Sequence, residues 1–197
     1  MNHRRITALL ISLTAAASVT ACGPSEDPLP GPTLPAPSTT RAFPARPKTI
    51  SLKDVDPCQL LTDQQLEQLT YGKNRLPDKG SRLGEAQCSV GNDFGPMPRL
   101  GSLISLVISE DITTWLTPER QQGLEGTRQI SIAGYPALEI TGKLTKDDCQ
   151  VVVDVADGQY LDVLAAPNHG RGASPEPYCV EAKRVAEMVM ATLLAKQ

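Results

Sequence analysis

The chain has little with which to build a familiar active site: of 197 residues, two are histidine, one is tryptophan and two are phenylalanine. His3 falls within a leader segment, which leaves His169, in the loop-like stretch Pro167-Asn168-His169-Gly170, as the remaining imidazole. No Gly-x-Ser-x-Gly elbow presents a nucleophile, and no glycine-rich phosphate loop is present. His169 therefore reads as a loop residue and not as a base. Basic residues are scattered and form no block, so the electrostatic footprint of nucleic-acid binding is missing. Beyond the leader, no run is long or apolar enough to span a bilayer. The adjacent acids Glu110-Asp111 and Asp147-Asp148 are of a type that holds calcium or works as acid and base. Neighbours on a strand point to opposite faces, however, and both pairs read as solvated turn acids. No cofactor and no metal is expected.

The leader is the most informative segment. Arg4 and Arg5 give a positive start, and no charge occurs from Ile6 to Ala21, whose apolar centre holds Leu9, Leu10, Ile11 and Leu13. This stretch is shorter than the ~20 residues of a spanning helix and ends in small side chains, the pattern of a signal peptide. Val19-Thr20-Ala21-Cys22 matches the bacterial lipobox: an aliphatic residue, two small ones and a cysteine whose thiol is acylated before cleavage. Residues 1–21 are thus expected to be removed. A diacylglyceryl group on Cys22 is expected to hold the chain to the outer face of the cell membrane, since two acyl chains anchor stably where one does not. Removing Arg4 and Arg5 lowers Lys plus Arg from 19 to 17 against 22 acids, a mature charge of −5.

From Gly23 to Pro47, eight of 25 residues are proline, with Ser38, Thr39 and Thr40 among them. Such a segment buries too little apolar surface to offset its ordering entropy. Residues 22–47 are read as an extended tether reaching up to roughly 75 Å, and 48–197 as one domain.

Cys58, Cys88, Cys149 and Cys179 remain once Cys22 is lipidated, an even number in an oxidising compartment. Zinc sites bring ligands in close pairs, whereas the closest spacing here is 30 residues. Two disulfides are expected. The favoured pairing is Cys58–Cys88 with Cys149–Cys179; Cys58–Cys179 is the competing bond if the terminal helices lie side by side.

Asp56-Pro57-Cys58-Gln59 carries a helix-start signal, repeated by Thr62-Asp63-Gln64-Gln65, with Gly72 as the expected stop. Residues 73–86 read as loop. Cys88–Val90 and Leu103–Ile108 read as strands, separated by the glycine- and proline-rich loop 92–101. Trp115–Leu124 reads as a short helix. Thr127–Ile132 and Ala137–Thr141 read as strands around a Gly134-Tyr135-Pro136 turn. Val151–Val155 and Tyr160–Ala165 form a hairpin over Asp157-Gly158, and Val180–Ala195 is a helix with Ala182, Val185, Ala186, Val189 and Leu193 on one stripe. This order indicates an α+β domain, a single antiparallel sheet flanked by N- and C-terminal helices.

These motifs together resemble the actinobacterial lipoproteins that share a domain of unknown function, DUF3558. The resemblance runs from about residue 50 to 196. It rests on Asp56-Pro57-Cys58 with Leu60-Leu61-Thr62, on Gly134-Tyr135-Pro136-Ala137, on Cys149 opening a valine-rich strand before Asp157-Gly158, and on Cys179 entering the last helix. Family members often have tryptophan two residues after the second cysteine, where Val90 stands here. The resemblance implies an extracytoplasmic sheet-and-helix domain similar to PsbP/Mog1-like proteins, and implies no catalytic residues. The expected function is a non-enzymatic module binding an envelope protein, glycan or lipid, with a small cell-envelope hydrolase as the alternative. Phe94 and Met97, in the 92–101 loop, and Trp115 are the candidate contact residues.

Overall fold

Two tight turns set the register of the sheet. Ala133 and Gly134 both take positive φ (49° and 82°), so Ile132 pairs directly with Tyr135 across a two-residue loop. Gly158 (φ 68°) turns the chain after Asp157, and Ala156 pairs with Gln159. The computed structural model describes residues 43–79, 85–92, 99–142, 147–169 and 174–196, with the backbone alone at Lys79 and His169.

Seven strands form one fully antiparallel sheet in the order β1-β2-β3-β7-β6-β5-β4. They are β1 (Leu76–Lys79), β2 (Ala86–Gly91), β3 (Arg99–Val107), β4 (Leu124–Ile132), β5 (Tyr135–Gly142), β6 (Cys149–Ala156) and β7 (Gln159–His169). After β3 the chain crosses to the far edge through an arm made of the 3-10 turn Ile112–Leu116 and helix α2 (Pro118–Gln121), then returns strand by strand to pair β7 with β3. Helix α1 (Asp63–Gln68) precedes the sheet and helix α3 (Glu176–Ala195) follows it.

Both of these helices cover the same face. The α3 stripe of Ala182, Val185, Ala186, Val189 and Leu193 is buried against Val151 and Val153 of β6 and Leu161, Val163 and Ala165 of β7. Each fully buried Val or Leu here contributes roughly 1.5–3 kcal/mol. Leu66 of α1 joins this core, and Gln65 Nε2 donates to the Met188 carbonyl of α3 at 3.3 Å. On the opposite face Phe43, Val107, Ile112, Trp115, Leu138, Ile140, Val152 and Tyr160 make a smaller second cluster. Strand β6 is thus buried on both sides, which is why Val151, Val152, Val153 and Val155 are all apolar, with Asp154 the one charge among them.

Both disulfides follow the favoured pairing. Cys58–Cys88 (Cα–Cα 5.2 Å) ties the 3-10 turn Pro57–Gln59 to β2, and Cys149–Cys179 (4.9 Å) ties the start of β6 to the first turn of α3. Each closes a separation of 30 residues and adds about 3–4 kcal/mol by restricting the unfolded chain.

The structure corrects the sequence reading at several points. The Asp56 signal produces one 3-10 turn, with Asp56 Oδ1 accepting from the Cys58 amide at 2.9 Å, while the Thr62/Gln65 capping box starts α1 as expected. That helix stops at Leu69, followed by Thr70 in the left-handed region (φ 59°), and not at Gly72, whose amide instead donates to the Gly91 carbonyl. Part of the expected 73–86 loop is the edge strand β1; a short exposed strand containing Pro77 shows no apolar alternation to give it away. Tyr135 and Pro136 lie in β5, because Ala133-Gly134 completes the turn alone. The expected 115–124 helix is split into the 3-10 turn and α2, with Pro118 at the helix start. Helix α3 begins at Glu176, ahead of Val180.

The packed chain also begins earlier than composition indicates. Phe43 is buried, and Arg46 is ion-paired with Asp154 and Asp157 at the β6–β7 turn, so residues 43–47 belong with the sheet despite their prolines. No helix among the described residues is long and apolar enough to cross a membrane.

Candidate functional site

The arm over the second face is fixed at both ends. Asp111 caps its first turn, accepting from the Thr113 amide (3.0 Å) and hydroxyl (2.7 Å), and also accepts from the Gly158 amide at 3.3 Å, which ties the arm to the β6–β7 turn. Burial opposes charge on Asp111, but these three donors outweigh it and hold the carboxyl below its ordinary range. At the other end Gln121 Nε2 donates to the Trp115 carbonyl and to Thr127 Oγ1 of β4. A recess bounded by an arm so fastened is formed before any ligand arrives.

Between this arm and strands β5, β6 and β7 lies a cleft of about 540 Å³, lined by Trp115, Glu119, Arg120, Leu124, Ile140, Asp148, Gln150 and Leu164, with Gly123 and Gly142. A smaller pit of about 140 Å³ adjoins it, sharing Trp115, Arg120 and Gln150 and adding Glu85, Glu110, Tyr160 and Asp162. The Arg120 guanidinium stacks 4.7 Å from the centre of the Trp115 ring, and its Nη2 donates to both Glu110 oxygens, at 2.7 and 3.0 Å. Glu110 and Asp111 are therefore an ion-pair partner and a turn cap, not the solvated turn acids expected.

The floor of the pit is Asp162. Its Oδ2 accepts from Gln150 Nε2 at 2.6 Å; its Oδ1 is out of contact with water and has no hydrogen-bond partner. Burial pushes this carboxyl up to about 7, helped by the charge of Glu85 and opposed by the Gln150 hydrogen bond and the Arg120 charge. The Tyr160 phenol beside it is also pushed up, by burial first and by the Glu110 charge second. The pit thus offers a carboxyl shifted toward its neutral form, an amide, a phenol and a guanidinium.

Two other places in the domain lack this combination. A recess of about 660 Å³ opens between the Asp56-Pro57 turn and the β1 edge, lined by Val55, Pro77, Ala86 and Gln87 among others, but none of its described lining residues has a buried polar atom without a hydrogen bond. Under α3, Ser102 Oγ and Tyr71 Oη lie 2.9 Å apart, with Glu181 buried nearby. Burial drives the Tyr71 phenol far above neutrality, so it keeps its proton and cannot activate Ser102.

Of the residues singled out in the sequence, Trp115 lies in the cleft. Phe94, Met97 and Cys22 lie outside the described residues. His169 ends β7 opposite Arg99, in a strand and not in the expected loop. Glu139, Cys149 and Cys179 bring potential metal ligands within 4.8 Å of one another, but the two sulfurs are bonded to each other and neither is a thiolate. Sequence reasoning missed Arg120, Gln150, Tyr160 and Asp162. The available signal was a charge inside an apolar strand: Asp162 interrupts Tyr160–Ala166.

Fold and site together define a disulfide-stapled α+β domain with one helix-covered face and a preformed polar recess on the other. The chain belongs to the family described as protein of unknown function (DUF3558), whose model matches residues 17–192. That match begins well ahead of residue 50, where the resemblance described above starts. No curated protein and no solved structure matches the chain.

Proposed function

We propose that this protein is a lipoprotein anchored through Cys22 to the extracytoplasmic face of the cell membrane, and that its domain is a non-enzymatic module that binds an envelope component in the cleft beneath the arm. The anchor is supported by the charged start, apolar centre and lipobox in register. The family match from residue 17 takes in Val19 to Cys22. The binding reading rests on Asp162 Oδ1. A buried acceptor without a donor costs about 1–3 kcal/mol, and a ligand N–H or O–H entering the pit recovers that cost. Among the candidates of envelope protein, glycan and lipid, a polar floor of this kind favours a small polar ligand or headgroup over an acyl chain.

Native mass spectrometry of the chain isolated from its own host tests this reading. A retained small polar molecule is the expected result, and a reproducibly empty protein contradicts it.

One observation favours the alternative of a small envelope hydrolase: a carboxyl raised to about 7 suits a general acid. Of the other acids lining the pit, Glu110 has both oxygens engaged by Arg120. Turnover of envelope glycan fragments, abolished by Asp162→Asn, would establish that reading in place of the first.

A further inference from the structure

Building on the cleft as a binding site, we infer that its ligand is a neutral saccharide, with one ring hydroxyl donating to Asp162 Oδ1 and others meeting Gln150 and Arg120. Asp162 lies on β7, Gln150 on β6 and Ile140 on β5. The floor therefore crosses two inter-strand steps, roughly 10 Å at about 4.8 Å each. With about 540 Å³ in the cleft and about 140 Å³ in the pit, this accommodates a di- or trisaccharide.

Its polar groups are planar and offer paired donors and acceptors: an amide at Gln150, a carboxyl at Asp162 and a guanidinium at Arg120. A sugar hydroxyl donates and accepts at the same time, so it answers such groups without bringing charge. Leu124, Ile140 and Leu164 supply the apolar surface that the C–H faces of a ring require.

Other chemistries fit less well. An organic cation entering the pit would approach Arg120, whose charge already acts on Asp162. A fixed anion would meet Glu110 and Asp162. An acyl chain would leave Asp162 Oδ1 without a donor. The Asp162 carboxyl accepts from a hydroxyl when ionised and donates its own proton when neutral, so a saccharide hydroxyl answers either form.

The chain has one tryptophan, and Trp115 lines both recesses, so intrinsic fluorescence reports on this site. Chitotriose, maltotriose and mannotriose are titrated into the full mature chain, with spermidine and a lysophospholipid in parallel. A saturable emission change is expected with at least one trisaccharide at both pH 6 and pH 8. At least tenfold weaker binding is expected in Asp162→Ala and Gln150→Ala, and no change in Ser102→Ala. Asp162→Asn keeps the shape of the site and guards against a folding artefact, with circular dichroism confirming that each variant is folded.

A saturable response to spermidine or the lysophospholipid alone, or to none of the probes at millimolar concentration, overturns the inference. If the host-isolated protein nonetheless carries a small polar molecule that Asp162→Ala loses, the cleft remains the binding site and only the saccharide assignment falls.

Discussion

Gln150 donates across the β6–β7 pair to Oδ2 of Asp162 at 2.6 Å, while Oδ1 of the same carboxyl is buried and receives no hydrogen bond. Val152 is the residue directly opposite Asp162, so Gln150 reaches it along the diagonal of the ladder. The hydrogen bond orients the carboxyl and leaves it half satisfied.

The stability of the protein should carry the mark of Asp162. Its folded value, about 7, lies above the ordinary 3.8, so the folded chain holds more protons than the unfolded chain between those values. Stability from this group is full below about pH 4, falls as pH rises, and levels off once pH passes 7. Asp162→Asn removes that slope. Urea denaturation at pH 5 and pH 8 should show the variant gaining on the wild type at the higher pH by on the order of 2–4 kcal/mol. Parallel pH profiles would refute the assignment.

Ala133 is a non-glycine residue in the left-handed region (φ 49°) of a two-residue hairpin turn. Ala133→Gly relieves that conformation at some cost in unfolded-state entropy, so a net stabilisation of about 0.5–1 kcal/mol is expected. Gly134→Val, at φ 82°, should destabilise by about 1–3 kcal/mol. Thermal unfolding of the two variants, moving in opposite directions, checks both.

Removing the Cys149–Cys179 bond by a double serine substitution should cost about 3–4 kcal/mol and loosen the start of α3 against β6. Hydrogen exchange in residues 176–182 reads the loosening. Non-reducing peptide maps should contain no Cys58–Cys179 peptide.

Cys22→Ser should abolish acylation and release the protein from membranes. Globomycin should cause the uncleaved precursor to accumulate. A Cys22→Ser protein that stays with membranes through a carbonate wash would place the anchor elsewhere.

Much of the fold can be read without coordinates because its signals are local. The Thr62/Gln65 capping box, the Asp157-Gly158 turn and the α3 stripe each need only a few neighbouring residues, and each appears as read. Strand β1 was not legible because an edge strand exposed around Pro77 owes its existence to pairing with β2, not to its own pattern. Residues 43–47 read as tether by proline content, yet Phe43 joins the second apolar cluster and Arg46 is held by Asp154 and Asp157, more than a hundred residues later.

The cleft is harder still. Gln150 and Asp162 are separated by one hairpin, and a register argument could have joined them. Arg120 and Trp115 reach them only because the chain crosses the sheet from β3 to the far edge. Trp115 was legible as a candidate; its partners were not, since no local pattern records a crossover.

On the proposed reading, the recess holding Asp162 binds a small polar component of the envelope. Native mass spectrometry of the wild type and Asp162→Ala, both isolated from the host under identical conditions, tests it most directly. An additional small mass is expected on the folded wild type and not on the folded variant. Identical spectra for the two proteins, both empty or both carrying the same adduct, would contradict it.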